Sequence, residues 1–191
     1  MLPTREGLFN AYPVDKAGIE TVMRLHSVKR WHMIDTTRIQ TLAEHSANVA
    51  LLAFHIARTA PRMFFGDAVS AAAAALVHDI PEVFIGDIPT MTKPYLDGDK
   101  IDALESIVTL PAFNVDAGSD TKVMIKICDL ADGIRFIRLH GVDATAKHAQ
   151  AGLEQQLENM KQQVSSDDHP WPPDVIKHVF SIVTFYAYEY S

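Results

Sequence analysis

Apolar positions recur with a helical period along most of the chain, and nowhere do apolar and polar residues alternate over a sustained run. Residues 17–30 predict a first helix, with Asp15 as its cap and Ile19, Val22, Met23 and His26 near one face. Residues 41–59 predict a second, in which Leu42, Val49, Leu52, Ala53 and Ile56 form a stripe of core type. Its opening, Thr41-Leu-Ala-Glu44, fits a capping box in which Glu44 reaches back to the cap amide. Residues 67–77 are alanine-rich, a strong helix former whose small side chains allow close packing. Pro81 is placed to begin a short helix at its first turn, and Gly86-Asp-Ile-Pro89 to end it. Residues 97–110 predict a helix and 111–118 a loop. Residues 121–139 then repeat Val123, Ile127, Leu130, Ile134 and Ile137 as another buried stripe. Beyond Gly141 a helix is predicted over 144–164 and a turn over 165–173. The last helix, 174–188, directs Val175, Val179, Ile182, Val183 and Tyr186 inward. No repeat or low-complexity tract divides the sequence. The predicted fold is all-α, a single compact bundle of about seven helices over residues 1–191.

Composition narrows the choice of partners. With 191 residues, 48% hydrophobic and 21% charged, the chain has ordinary globular composition. The single cysteine, Cys128, excludes both an intramolecular disulfide and a cysteine-rich zinc finger. A net charge of −7 argues against a nucleic-acid polymer, since phosphate neutralisation needs a basic face. The first residues carry early charges, and the longest apolar run, 71–77, falls well short of the ~20 residues that span a bilayer. No secretory signal and no membrane partner are therefore expected, and the location reads as cytoplasmic (host cytoplasm for a viral chain). Nine histidines beside one cysteine mean that any bound metal is held by imidazole and carboxylate.

The sharpest local feature is Val77-His78-Asp79-Ile80-Pro81-Glu82, two metal-capable residues side by side at the end of an alanine-rich helix. On its own, such a pair also suits a histidine at the helix dipole next to a surface cap. His45 falls on the apolar stripe of the second helix, where an imidazole needs a partner or stays neutral. A core histidine bonded to a carbonyl meets that need too. Asp129 adjoins the stripe of the 121–139 helix with Lys126 and Asp132 within one turn; the plainer reading there is a surface pair with Lys126. Together, His45, His78, Asp79 and Asp129 form a mixed nitrogen and oxygen donor set drawn from three helices. That set suits a divalent transition metal such as Co, Mn, Zn, Ni or Fe. An ion of this kind lowers the pKa of bound water and offsets charge on a phosphoryl oxygen.

In this order, the blocks Arg30-Trp31, Arg38, Ala43-Glu-His-Ser46, His78-Asp-Ile-Pro-Glu-Val83, Gly86-Asp-Ile-Pro-Thr90 and Lys126-Ile-Cys-Asp129 resemble the HD-domain metal-dependent phosphohydrolases. The resemblance extends over residues 25–139. Within that superfamily it is nearest the small bacterial 5′-deoxynucleotidases and the phage dATP triphosphohydrolases. It implies an all-helical HD fold with the four residues above as metal ligands. Matching Lys126-x-x-Asp selects Asp129 as the last ligand and leaves Asp132 to support it or to form a structural pair. It further implies that Glu82 orients or deprotonates the attacking water, and that Asp87 holds the nucleoside or the water network. Arg30, Arg38 and Lys93 become the cations for substrate phosphates. Trp31 becomes the aromatic residue placed against the sugar, where its bulk disfavours a ribose 2′-hydroxyl, and Met33 a lining residue of an adenine pocket.

The implied activity is in-line attack of water at the α-phosphorus of a small 2′-deoxynucleotide, deoxyadenine nucleotides favoured, in a homo-oligomeric enzyme. The competing readings are a broad-specificity deoxynucleoside monophosphatase, an HD hydrolase of cyclic or (p)ppGpp nucleotides, and a non-catalytic nucleotide-binding module. The second of these is disfavoured by the absence of extra ligands and domains, and the third by the intact ligand set together with Glu82.

Overall fold

The computed structural model describes residues 19–20, 22–89, 92, 95–101, 115–167 and 170–190. They contain six α-helices: α1 Leu42–Thr59, α2 Ala68–Val77, α3 Glu82–Ile85, α4 Ser119–His140, α5 Ala144–Ser165 and α6 Pro173–Thr184, the last prolonged by a π turn over Phe185–Glu189. Short 3-10 turns lie at Arg24–His26 and Pro61–Met63. Among the described residues there is no sheet, only the isolated bridges Lys29 to Thr41 and Thr36 to Gly141.

The helix starts follow the local chemistry. Thr41 caps α1 by accepting from the Glu44 amide, Asp67 caps α2 from Ser70, and Asp143 caps α5 from Ala146. Only half of the predicted capping box forms. Both carboxylate oxygens of Glu44 bind Arg38, at 2.6 and 2.9 Å, so Glu44 does not return to the cap amide.

Two further expectations change. The first helix does not run to residue 30. Helical residues at 22–23 pass into the 3-10 turn and the chain then extends, because the Arg30 amide donates to Gln40 and the Leu42 amide to Val28. Its inward residues are Leu25 and the half-buried Val22, while Ile19, Met23 and His26 are exposed. Most of the predicted 97–110 helix lies outside the described residues, as do Thr90 and Lys93.

The core is built around α4, which packs against α1, α5 and α6. Met124, Ile127, Cys128, Ala131 and Ile134 of α4 meet Val49, Ala53 and Ile56 of α1 and Val175, Val179 and Val183 of α6, all sealed from solvent. A fully buried aliphatic side chain of this kind stabilises the fold by ~1.5–3 kcal/mol. Ala71, Ala74 and Ala75 let α2 lie close against α1. By composition alone the stretch Ala68–Ile85 is long and apolar enough to cross a membrane. Here, however, α2 stops at Val77, and His78, Asp79 and Glu82 occupy the second half of the stretch. The last helix covers the core with Val175, Val179, Val183 and Ala187 and leaves Phe185 and Tyr190 exposed.

Candidate active site

The packing of α1, α2 and α4 brings His45, His78, Asp79 and Asp129 together. His45 lies fully buried in the first turn of α1. Its Nδ1 is 2.7 Å from Asp132 Oδ2. An ionised carboxylate only accepts, so Nδ1 carries the hydrogen and Nε2 points the other way. Nε2 makes no hydrogen bond, and it faces Asp129 Oδ1 at 3.1 Å and Asp79 Oδ2 at 3.5 Å.

His78 repeats the pattern at the end of α2. Its Nδ1 donates to the Ala75 carbonyl at 2.6 Å, and its buried Nε2, without a hydrogen-bond partner, lies 3.2 Å from Asp79 Oδ1. One ligand atom each from His45, His78 and Asp79 fall within 4.8 Å of one another. Two buried imidazole nitrogens turned toward two carboxylates call for a positive charge between them, which a proton on His45 or a divalent cation satisfies. The donors present therefore fit a divalent transition metal.

The electrostatics agree. Burial and the Arg30 charge oppose a proton on His45, but the Asp129 and Asp132 carboxylates beside it prevail and raise its pKa above the ordinary imidazole value. Burial likewise opposes ionisation of Asp129; His45, Lys126 and Arg30 overcome it and hold the carboxyl well below the usual range. Lys126 Nζ is 2.6 Å from Asp129 Oδ2, and Arg30 Nη2 is 3.6 Å from Oδ1. The Arg30 side chain is only 11% exposed, and its Nε and Nη1 are buried with no hydrogen-bond partner. Burial works against its charge, yet Asp129, Asp79, Asp87 and Glu82 keep it protonated.

Two cavities adjoin at this point. The polar one, about 140 Å³, is lined by His78, Asp79, Glu82, Lys126 and Asp129. The apolar one, about 360 Å³, is lined by Trp31, Met33, Ile34, Pro89, Tyr95 and His148. Arg30, Asp87, Leu153 and Gln156 line both. Glu82 is 9% exposed and opens α3, one turn beyond Asp79. Asp87 Oδ2 accepts from the Trp31 amide at 3.2 Å. Trp31 itself has φ 61°, which is strained for a bulky residue. Its ring stacks on Phe136 and its indole donates to Gln40 Oε1 at 2.8 Å.

The structure does not bring Arg38 into either cavity. Its guanidinium is held by Glu44, its Nε lies 3.0 Å from His140 Nε2, and its face covers Phe136. It thereby backs the ring on which Trp31 stacks. Met33, 67% exposed, stands at the rim of the apolar cavity. The sequence reading missed the cavity walls from α5 (His148, Leu153 and Gln156) and the role of Lys126 beyond a surface pair. The α5 residues recur at helical spacing on one face, but nothing in their type marks them as facing a site rather than the core.

A family model described as 5′-deoxynucleotidase YfbR-like matches residues 19–107. The dATP triphosphohydrolase of Salmonella phage PMBT28 is 33% identical over 145 residues, 71% of this chain and 74% of the phage protein. The chain belongs to the HD-domain phosphohydrolase family. The structure of the cyanophage S-2L HD phosphohydrolase, which holds dA and one catalytic Zn2+ ion, shares the fold with a TM-score of 0.73 and 24% identity, over 90% of this chain and 96% of that one. The 5′-deoxynucleotidase YfbR of Escherichia coli is 38% identical over 72 residues, 37% of this HD phosphohydrolase and 36% of its own length.

Proposed function

We propose that this HD phosphohydrolase hydrolyses 2′-deoxynucleoside 5′-phosphates, with deoxyadenine nucleotides favoured, using a divalent transition-metal ion held by His45, His78, Asp79 and Asp129. The observation that carries the proposal is the pair of buried, unbonded Nε2 atoms facing Asp79 and Asp129 beside an apolar cavity of nucleoside size. A bound ion supplies Lewis acidity toward water and toward a phosphoryl oxygen. The protein does the rest. Arg30 turns two buried N–H-bearing nitrogens without hydrogen-bond partners toward an arriving phosphate, and Lys126 adds a second positive charge at Asp129. Glu82 lines the polar cavity beside Asp79, where it orients the attacking water and takes its proton. Asp87 holds the Trp31 backbone, and the indole with Met33 walls the sugar and base end.

The test is phosphate release from a panel of deoxy- and ribonucleotides, as mono-, di- and triphosphates, with Mn, Co or Zn added. The expected result is metal-dependent release that favours deoxy over ribo forms and deoxyadenine among the bases. Equal rates on deoxy and ribo forms would sink the sugar-selective role of Trp31. Absence of both bound metal and turnover would overturn the hydrolase reading.

A further inference from the structure

Asp132 is 1% exposed and accepts four hydrogen bonds: His45 Nδ1 at 2.7 Å and Gln40 Nε2 at 2.8 Å on Oδ2, Asn48 Nδ2 at 2.9 Å and the Tyr186 hydroxyl at 2.7 Å on Oδ1. Gln40 is equally buried, and its Oε1 accepts from the Trp31 indole at 2.8 Å. The chemistry of the two ends leaves Gln40 no choice of orientation. An indole N–H only donates and an ionised carboxylate only accepts, so the amide oxygen must face Trp31 and the amide nitrogen Asp132. A chain of hydrogen bonds thus runs from the indole through Gln40 and Asp132 to His45 Nδ1, and Asn48 and Tyr186 join it at Asp132. His45 Nε2 lies at the far end of that chain, facing Asp79 and Asp129.

We propose that Asp132 and Gln40 are positioning residues that tie the ring against the sugar to a metal-ligating imidazole, so that metal affinity and sugar discrimination rise and fall together. Asp132 fixes the tautomer and angle of His45. Gln40 fixes the indole edge of Trp31, whose backbone is held in the left-handed region. Each side of the chain therefore restrains the other. This inference rests on the metal-site reading above.

The experiment titrates Zn2+ alone into the whole protein by calorimetry and follows indole N–H resonances by NMR. There are only two tryptophans, Trp31 and Trp171, so their signals are readily separated. In the unaltered chain, Zn2+ should shift the Trp31 indole resonance. Gln40→Leu is expected to abolish that response, to weaken Zn2+ binding about 10-fold and to narrow the deoxy-to-ribo ratio of kcat/KM. Asp132→Asn should weaken Zn2+ about 10–100-fold, the range usual for an outer partner of a ligating histidine. Trp31→Phe keeps one aromatic ring and removes the indole donor together with part of the ring area. It provides the same test from the other end should Gln40→Leu not fold, with Zn2+ binding weakened severalfold.

Zn2+ affinity within twofold of the unaltered chain in the folded variants, or a Trp31 response that persists in Gln40→Leu, overturns the relay. An unaltered chain that neither binds Zn2+ nor hydrolyses deoxynucleotides overturns instead the site reading on which the relay stands.

Discussion

Gly133 decides how closely Trp31 can approach α4, and replacing it with alanine opposes two effects of known size. In a helix interior the added methyl favours the helical state by ~1 kcal/mol. Here that methyl would stand 3.3 Å from Trp31 Cζ2, 3.4 Å from Cη2 and 3.3 Å from Leu153 Cδ1. The leucine methyl can rotate away. The indole cannot, because it is held by Gln40 at Nε1, by Asp87 at the backbone and by Phe136 on its face. Overpacking of a constrained site costs ~1–3 kcal/mol, so the net expectation for Gly133→Ala is a loss of ~1 kcal/mol. For a chain of this size that lowers Tm by about 2–4 °C. Gly152, on α5, has nothing within 4 Å of an added Cβ, so Gly152→Ala should raise Tm by a similar amount. Thermal unfolding followed by circular dichroism reads both signs, and the Trp31 indole resonance should move only in Gly133→Ala. If Gly133→Ala raised Tm as Gly152→Ala does, with the indole resonance unmoved, Trp31 would not be clamped as described.

Three other outcomes follow from the same geometry. Thr41→Ala should cost ~1 kcal/mol in urea unfolding by removing the α1 cap, and a change under a few tenths would show that the bond to Glu44 is not formed in solution. Glu82→Gln should lower kcat by ~100–10,000-fold on the best deoxynucleotide while leaving Zn2+ affinity nearly unchanged, and full activity would remove Glu82 from the chemistry. Burial opposes ionisation of Asp132, but hydrogen bonding to His45 and Tyr186 outweighs it and depresses its pKa. Its contribution to stability is therefore complete above the unfolded carboxylate value near about pH 4, and is lost as pH falls through the lower folded value. Asp132→Asn should flatten that acid limb in unfolding measured stepwise from pH 5 to about pH 2, and an unchanged limb would refute the assignment.

Helices whose start is written in side chains were legible before any coordinates. Thr41 caps α1 where the capping box placed a start, and the stripes of α1, α4 and α6 are buried much as their spacing predicts; the caps Asp67 and Asp143 were not singled out. The 22–41 segment was not legible. Its path depends on Arg30 and Leu42 pairing with Gln40 and Val28, and on a left-handed Trp31 that no propensity favours. The candidate ligands stood out because imidazoles on apolar helices need a reason to be there. Of their supports only Asp132 was marked, and then beside Asp129 or as a structural pair rather than under His45. His45 and Asp132 are 87 positions apart, and Gln40 and Asp132 are 92 apart, so their bonds arise only from the packing of α1 on α4. Arg38 illustrates the converse: a cation in the right block of sequence, taken by Glu44 and His140 on the outer side of Phe136.

The excess negative charge acquires a local meaning at the site. Asp79, Glu82, Asp87 and Asp129 line one small cavity, against Arg30 and Lys126. Both cations lie against Asp129, which already takes up part of their charge. A phosphate entering such a cavity meets more carboxylates than cations, and low-dielectric walls strengthen each of those encounters. A divalent ion among His45, His78 and Asp79 would cancel that excess at the point where Arg30 has hydrogens to give. On the proposed reading, affinity for the nucleotide's phosphate is therefore conditional on the ion. On the same reading, the apolar cavity beside it, to which only Arg30 and Asp87 bring full charges, would take the nucleoside end largely independently of the ion, except through Trp31.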